Sequence, residues 1–302
     1  MFKFKSSTVI IVNAAAFLCF AALLAVASVY DLQISRALSD GDSFFAQFFA
    51  VFGEYPAYLV LPAAGVIIFY NHDLFDDMRA RVAICVLGAA LSIGGWIFFG
   101  VQGTKLTDIP HVEGFACMFG IMLGMLGLWL GSLIEREKMH RLFKFAVFAI
   151  AFAAASVVVM QVMKNIWCRM RYRDMLKVGS EDGFTPWYKI MFGREDMIED
   201  GDYTSFPSGH TSSAAHIFLF AALCDIIPGW DKKGVRIGVN IGCTAFTVVV
   251  AISRIVANAH FLSDVLVGGY LTYLIFVALR RAFFGKGKYN FAVALPREEK
   301  TE

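Results

Sequence analysis

The chain has 302 residues, of which 58% are hydrophobic and only 17% charged, and its formal net charge is +2. A soluble globular domain carries about 25% charged residues. A chain this apolar cannot coat a water-exposed globule, which excludes a soluble enzyme, a disordered chain and a nucleic-acid binder with a basic face.

The apolar residues fall in runs of about 20, the length that spans a hydrocarbon core roughly 30 Å thick. The chain therefore reads as an all-α, polytopic transmembrane helix bundle. In chain order, hydropathy predicts about eight spans, at roughly 8–30, 56–71, 82–101, 114–134, 145–163, 209–227, 237–253 and 264–281. No Gly/Ser- or Pro-rich linker separates them, so residues 1–302 are expected to form a single integral-membrane domain.

The first span opens on Met1-Phe2-Lys3-Phe4-Lys5 and contains Ala25-Val26-Ala27, similar to a cleavage signal. Its apolar run exceeds the about 7–15 residues of a signal peptide, so an uncleaved anchor is expected. Residues 31–55 mix Asp31, Arg36, Asp40 and Asp42 with the Phe-rich stretch Phe44 to Phe52, and residues 184–192 are aromatic and amphipathic. Both are expected at headgroup level, as belt anchors or as a lip where a lipid enters. In the fourth span Gly120, Gly124, Gly127 and Gly131 share one helical face, which reads as a packing surface. Five of the six cysteines (Cys19, Cys85, Cys117, Cys224 and Cys243) sit in apolar runs, and Cys168 lies in a polar loop. Without CxxC or Cys/His spacing, neither disulfides nor structural zinc are expected.

With the N-terminus in the cytoplasm, most of the 27 Lys and Arg fall on the cytoplasmic side, among them Arg79, Arg81, Arg136, Lys138, Arg141, Lys144, Lys232, Lys233, Arg236, Arg280, Arg281, Lys286 and Lys288. Arg36 and Lys105 are isolated exceptions. The others gather in one outer segment, 164–206, and at Arg254. Basic residues that break the rule and cluster need another reason, and an anion-binding site is one. The same segment carries acidic residues from Asp174 to Asp202 and is expected to fold as an outer cap.

Charged groups at membrane depth are costly, so three polar stretches at the outer ends of spans are functional candidates. The first runs from Lys164 to Arg173. Lys164 and Arg171 are seven apart, two turns along one face if the helix continues. Arginine forks a phosphate and lysine adds a point charge, although four basic residues beside a membrane also serve as snorkelling anchors. The second is Phe206-Pro207-Ser208-Gly209-His210-Thr211, which opens the sixth span. A helix start offers unpaired amides and a positive dipole end. Ser208 suits a cap, and His210 suits proton donation near neutral pH; a plain capped helix start reads the same way. The third, Ser253 to Asp264, holds Arg254, His260 and Asp264. A carboxylate bonded to one nitrogen of His260 would leave the other as nucleophile. The alternative is an Arg254–Asp264 ion pair bridging two helices. Three cations, two imidazoles and one carboxylate suit a phosphate ester or pyrophosphate. No carboxylate cluster for magnesium and no HExxH for zinc is present, so neither metal nor other cofactor is expected.

Together these stretches resemble the signature of the type 2 phosphatidic acid phosphatase (PAP2) superfamily: Lys-x6-Arg-Pro, then Pro-Ser-Gly-His, then Ser-Arg-x5-His-x3-Asp. The second is complete at Pro207–His210 and the third at Ser253, Arg254, His260 and Asp264. The first matches at Lys164 and Arg171 but has Tyr172 where the family usually has Pro, a change that bears on the local turn. The resemblance covers 145–281, which look like the family's last four helices; with eight spans the chain carries two more than the family's usual six. It implies that His260 attacks phosphorus, Asp264 orients it, His210 protonates the leaving oxygen, and Lys164, Arg171, Arg254 and the amides around Ser208 and Gly209 hold the phosphate oxygens, without a metal.

The expected activity is a lipid phosphate or pyrophosphate phosphatase at the outer face of the cytoplasmic membrane, acting on a substrate such as undecaprenyl pyrophosphate, phosphatidylglycerophosphate, phosphatidate or lipid A. Arg169 and Arg173 are candidates for a second phosphate, or solvated. A phosphotransferase passing the phosphoryl group to a second lipid would carry the same motifs, and a carrier or channel is a further alternative. The expected partners are the lipid substrate and the bilayer, with no nucleic acid; the oligomeric state is open.

Overall fold

The computed structural model describes residues 6–104, 112–192 and 202–285. Lys105, Arg194, Lys286, Lys288 and the basic start Met1 to Lys5 lie outside the described residues. Among the described residues the chain is helical, with no strand beyond an isolated parallel bridge between Arg169 and Thr204. Seven stretches of the described residues are long and apolar enough to cross a membrane: Ile11–Leu38, Phe44–Phe69, Met78–Gly103, Val112–Ser132, Arg136–Trp167, Lys233–Val256 and Leu262–Phe284. The protein is thus an all-α, multi-pass membrane protein.

Two sequence expectations change. The predicted span at 209–227 is helical in three short pieces: α-helices at Gly209–Ala215 and Leu219–Leu223, joined by a 3-10 turn at His216–Phe218. Hydropathy sums apolarity along a chain and does not register such interruptions. The segment 31–55, expected at the interface, also divides. Asp31 and Arg36 belong to the first helix, α1 (Ser6–Leu38). Phe44–Phe52 forms α2, capped by Ser43 Oγ accepting from Ala46 N at 3.2 Å. A short α3 (Tyr55–Tyr58) and α4 (Val60–Phe69) follow. Asp31 is 3% exposed, buried within the protein.

The remaining helices are α5 (Met78–Gly103), α6 (Val112–Ser132), α7 (Arg136–Trp167), α8 (Tyr172–Val178), α9 (Gly209–Ala215), α10 (Leu219–Leu223), α11 (Lys233–Val256) and α12 (Leu262–Phe284). The chain divides into two compact units, Met1–Ala57 with Ala154–Ile275 and Tyr58–Ala153 with Phe276–Glu302, and the division falls within α7 and α12.

In the second unit the glycine face of α6 packs as its small residues allow. A Cβ on Gly120 would lie 2.5 Å from Ile97 Cα of α5, and one on Gly124 would lie 2.7 Å from Ile93 Cα. Backbones approach this closely only where side chains are absent. Ala64, Ile68 and Ala146 form the unit's buried cluster, with Ile84, Leu91, Phe143 and Ile150 against it. Asp73 pairs with Arg136 at 3.0 Å and with His140 at 3.1 Å.

The first unit holds all three polar stretches. Gln161 and Asn240, which look in sequence like interhelical bonders, bond within their own helices, to Asn165 Oδ1 and Arg236 O. Asp225 is paired with Arg236 at 2.6 Å. His216 is buried, with Nδ1 bonded to Ser212 O.

Candidate active site

The first stretch does not continue its helix. α7 stops at Trp167, Cys168 adopts a left-handed φ of 44°, and Arg171 is the extended N-cap of α8. Lys164 and Arg171 are brought together by the returning chain instead: Lys164 Nζ donates to Thr204 O at 2.6 Å and Arg171 Nη2 to Thr204 Oγ1 at 3.0 Å. Backbone bonds from Ser205 N to Arg169 O (3.0 Å) and from Arg171 N to Asp202 O (3.1 Å) tie the two segments side by side. Arg171 also pairs with Asp202 at 3.0 Å. Burial and the neighbouring Arg173 pull the Arg171 guanidinium below its usual range.

Tyr172, the departure from the family pattern, occupies the first helical position of α8. Proline is favoured at that position because its fixed φ suits a helix start and its missing N–H is not needed there. Here tyrosine opens the helix, and its ring packs into a buried cluster with Met170, Met175, Tyr203 and Phe261. Further bonds hold the described part of the segment 164–206. Trp167 Nε1 donates to Trp187 O at 2.6 Å, and Trp187 Nε1 donates to Ser28 Oγ of α1 at 3.0 Å. Its residues 193–201 lie outside the described residues.

In the second stretch Ser208 is fully buried and caps α9, its Oγ accepting from Thr211 N at 3.3 Å. Its own N–H donates to Asp264 O at 3.0 Å, which fixes the start of α9 to α12. The first-turn amides at Gly209 and His210 have no partner within the helix. Gly268 of α12 lies under this turn, where an added Cβ would stand 2.4 Å from Ser208 O. Gly268→Ala is expected to push the Ser208–His210 turn outward and lower kcat about 10²-fold, with little change in expression. Steady-state rates of the purified variant check this.

In the third stretch α11 ends at Val256, and Asn258 turns the chain with a φ of 57°. His260 therefore lies in the connecting loop, not on the helix of Asp264. Asp264 instead reaches back over the first turn of α12, accepting from Phe261 N at 2.9 Å, as a capping box does. His260 is 1% exposed, and its Nδ1 lies 2.8 Å from Ser205 O. A carbonyl only accepts, so the proton sits on Nδ1 and the lone pair on Nε2. The Asp264 carboxylate is 3.7 Å from Nδ1. The Ser205 carbonyl is thus the direct orienting partner, and Asp264 acts one step behind it, accepting from Ser205 Oγ at 2.5 Å. Burial pushes the His260 imidazole down to about 3, so it is neutral at physiological pH.

Arg254 is not the partner of Asp264. It is 2% exposed, donates through Nη2 to Ala46 O of α2 and through Nε to Ser253 Oγ at 3.2 Å. The ion pair goes to Arg169 instead. Arg169 Nη1 donates to Asp264 Oδ1 at 2.6 Å and to Ser263 Oγ at 2.7 Å, and Nη2 donates to Asp31 Oδ2 at 2.9 Å. Its guanidinium lies 4.1 Å from the Phe261 ring centroid and is 1% exposed. This corrects the reading of Arg169 as a second-phosphate ligand: two buried carboxylates already hold it. Arg173 is likewise drawn to Asp202 (3.5 Å) and Asp174 (3.8 Å).

His210 Nε2 is 3.5 Å from Glu54 Oε2, and the His210 and His260 ring centroids are 6.3 Å apart. Sequence reasoning missed Asp31, Glu54, Ser205 and Ser263. Among them only Asp31, a carboxylate at the end of an apolar run, carried a signal in the sequence.

This is a polytopic membrane protein whose site sets two imidazoles and a carboxylate among lysine and arginine side chains. Residues 145–288, which carry the three motifs, match the model of the PAP2 superfamily. Over 98 residues the chain is 34% identical to phospholipid phosphatase 1 of Mus musculus, a match covering 32% of this chain and 34% of the relative. The chain thus spans about a third of the length of that curated relative. No solved structure matches the chain.

Proposed function

We propose that the protein is a lipid phosphate phosphatase that works through a phosphohistidine. The observation that carries this reading is the Nδ1 bond of His260 to the Ser205 carbonyl, which leaves a neutral Nε2 lone pair in a site flanked by cations. Nε2 attacks phosphorus and the P–O bond to the lipid breaks, while the protonated His210 gives its proton to the leaving oxygen. Water then attacks the phosphohistidine and passes its proton back to His210, and the P–Nε2 bond breaks to release phosphate. Lys164, Arg171, Arg254 and the amides at Gly209 and His210 neutralise the charge that develops on the phosphoryl oxygens, so no metal is needed; the Ser208 amide, expected from sequence to share this role, is instead bonded to Asp264 O. The match of residues 145–288 to the superfamily model and the likeness to a phospholipid phosphatase support a phosphorylated lipid as substrate. The excess of Lys and Arg on one side supports cytoplasmic termini and a site facing outward from a cytoplasmic membrane.

Purified protein is expected to release phosphate from at least one of phosphatidate, phosphatidylglycerophosphate, undecaprenyl pyrophosphate or lipid A. Release should persist in a chelator and be blocked by vanadate. Turnover that appears only when a divalent cation is added, or only when an acceptor lipid is present, would overturn this reading.

A further inference from the structure

The sequence presents α2 as an aromatic anchor, yet in the fold it walls the site. Near its start, Ala46 O accepts from Arg254 Nη2. Just past its end, Gly53 lies against α11, where an added Cβ would stand 2.9 Å from Val250 Cγ1, one helical turn before Arg254. That close approach seats the next residue, Glu54, with its Oε2 3.5 Å from His210 Nε2; the two side chains are only 21% and 27% exposed. The other groups facing His210 are the buried His260 ring at 6.3 Å and the cations Arg254 and Arg171. Lys164 lies alongside, its Nζ 3.9 Å from where a Gly209 Cβ would stand. Burial, with the cations Arg254 and Arg171, pushes the His210 imidazole down to about 4, so a proton on His210 needs support. The Glu54 carboxylate, 3.5 Å from Nε2, opposes them.

We propose that Glu54 is a positioning residue for the leaving-group proton. Its carboxylate orients the His210 imidazolium and favours the protonated form, so that His210 enters the first step with a proton to give. This rests on the phosphohistidine reading above, in which the proton moves from His210 to the lipid oxygen as the P–O bond breaks.

The test compares two substrates of the full-length purified protein. One is a short-chain phosphatidate, whose alkoxide leaving group needs a proton. The other is 4-nitrophenyl phosphate, whose leaving group departs without one. Glu54→Gln is expected to lower kcat on phosphatidate about 10²-fold and leave KM little changed. Removing the carboxylate weakens proton binding by His210, so the alkaline limb of kcat should move to lower pH. Hydrolysis of 4-nitrophenyl phosphate should fall far less, and Glu54→Asp should restore most of the phosphatidate rate. In a His210→Ala background, Glu54→Gln should cost nothing further.

Equal losses on both substrates with an unmoved pH profile would make Glu54 a structural residue and overturn the proposal. So would an effect that adds in full to that of His210→Ala. If Glu54→Gln does not fold, Glu54→Ala on the same two substrates gives the same discrimination. His260→Ala run in parallel separates the two levels: retained hydrolysis there overturns the phosphohistidine reading and the Glu54 role with it, whereas an inactive His260→Ala with an indifferent Glu54→Gln overturns the Glu54 role alone.

Discussion

Replacing His260 by alanine is expected to reduce phosphate release about 10³-fold or more. In the proposed mechanism the Nε2 lone pair makes the only covalent bond to phosphorus, and a removed nucleophile leaves only the binding and electrostatic contributions of the site. The wild-type enzyme, acid-quenched with a phosphate-labelled lipid, should retain label on the protein, and His260→Ala should retain none. The variant also leaves the Ser205 carbonyl without its imidazole donor, a cost of about 1–3 kcal/mol for a buried acceptor. Thermal stability in detergent should therefore be measured beside the rate. A folded variant that keeps its activity within about tenfold of wild type, or keeps the label, would sink the phosphohistidine reading.

The second large effect is structural. Arg169 holds Asp31 and Asp264 together, all three within 3% exposure. Breaking a buried ion pair by removing one partner costs about 3–5 kcal/mol, because it leaves an uncompensated charge away from water. Here Arg169→Ala would leave two carboxylates facing one another. The unfolding temperature in detergent is expected to drop by about 10 °C, with activity lost as Asp264 is displaced. Arg169→Lys should not rescue it, since a point charge cannot fork to two carboxylates and a hydroxyl as the guanidinium does. Asp31→Asn is expected to be milder, because it removes charge without stranding any. An Arg169→Ala variant as stable and active as the wild type would mean that the network does not hold the site.

The sequence by itself determined the membrane class, the helical fold, the glycine packing face of α6 and the residue types of the site. These follow from local quantities. Hydropathy is summed over a window, a helical face is set by spacings of three and four, and the three motifs are short runs whose chemistry is evident in their side chains.

Tertiary structure alone decided which charge meets which. Asp264 is paired with Arg169, 95 positions away, rather than with Arg254, ten positions away, because the chain turns at Cys168 and returns at Thr204. The four-residue spacing of His260 and Asp264 is that of one helical face, but α12 begins at Leu262, and a backbone carbonyl from Ser205 takes the orienting bond. A carbonyl is present at every residue, so no sequence pattern marks the one that matters. Asp31 and Glu54 come from helices far upstream, and a lone carboxylate in an apolar run indicates only that it needs a partner. The sequence states that cost of burial; the path of the chain determines which group meets it.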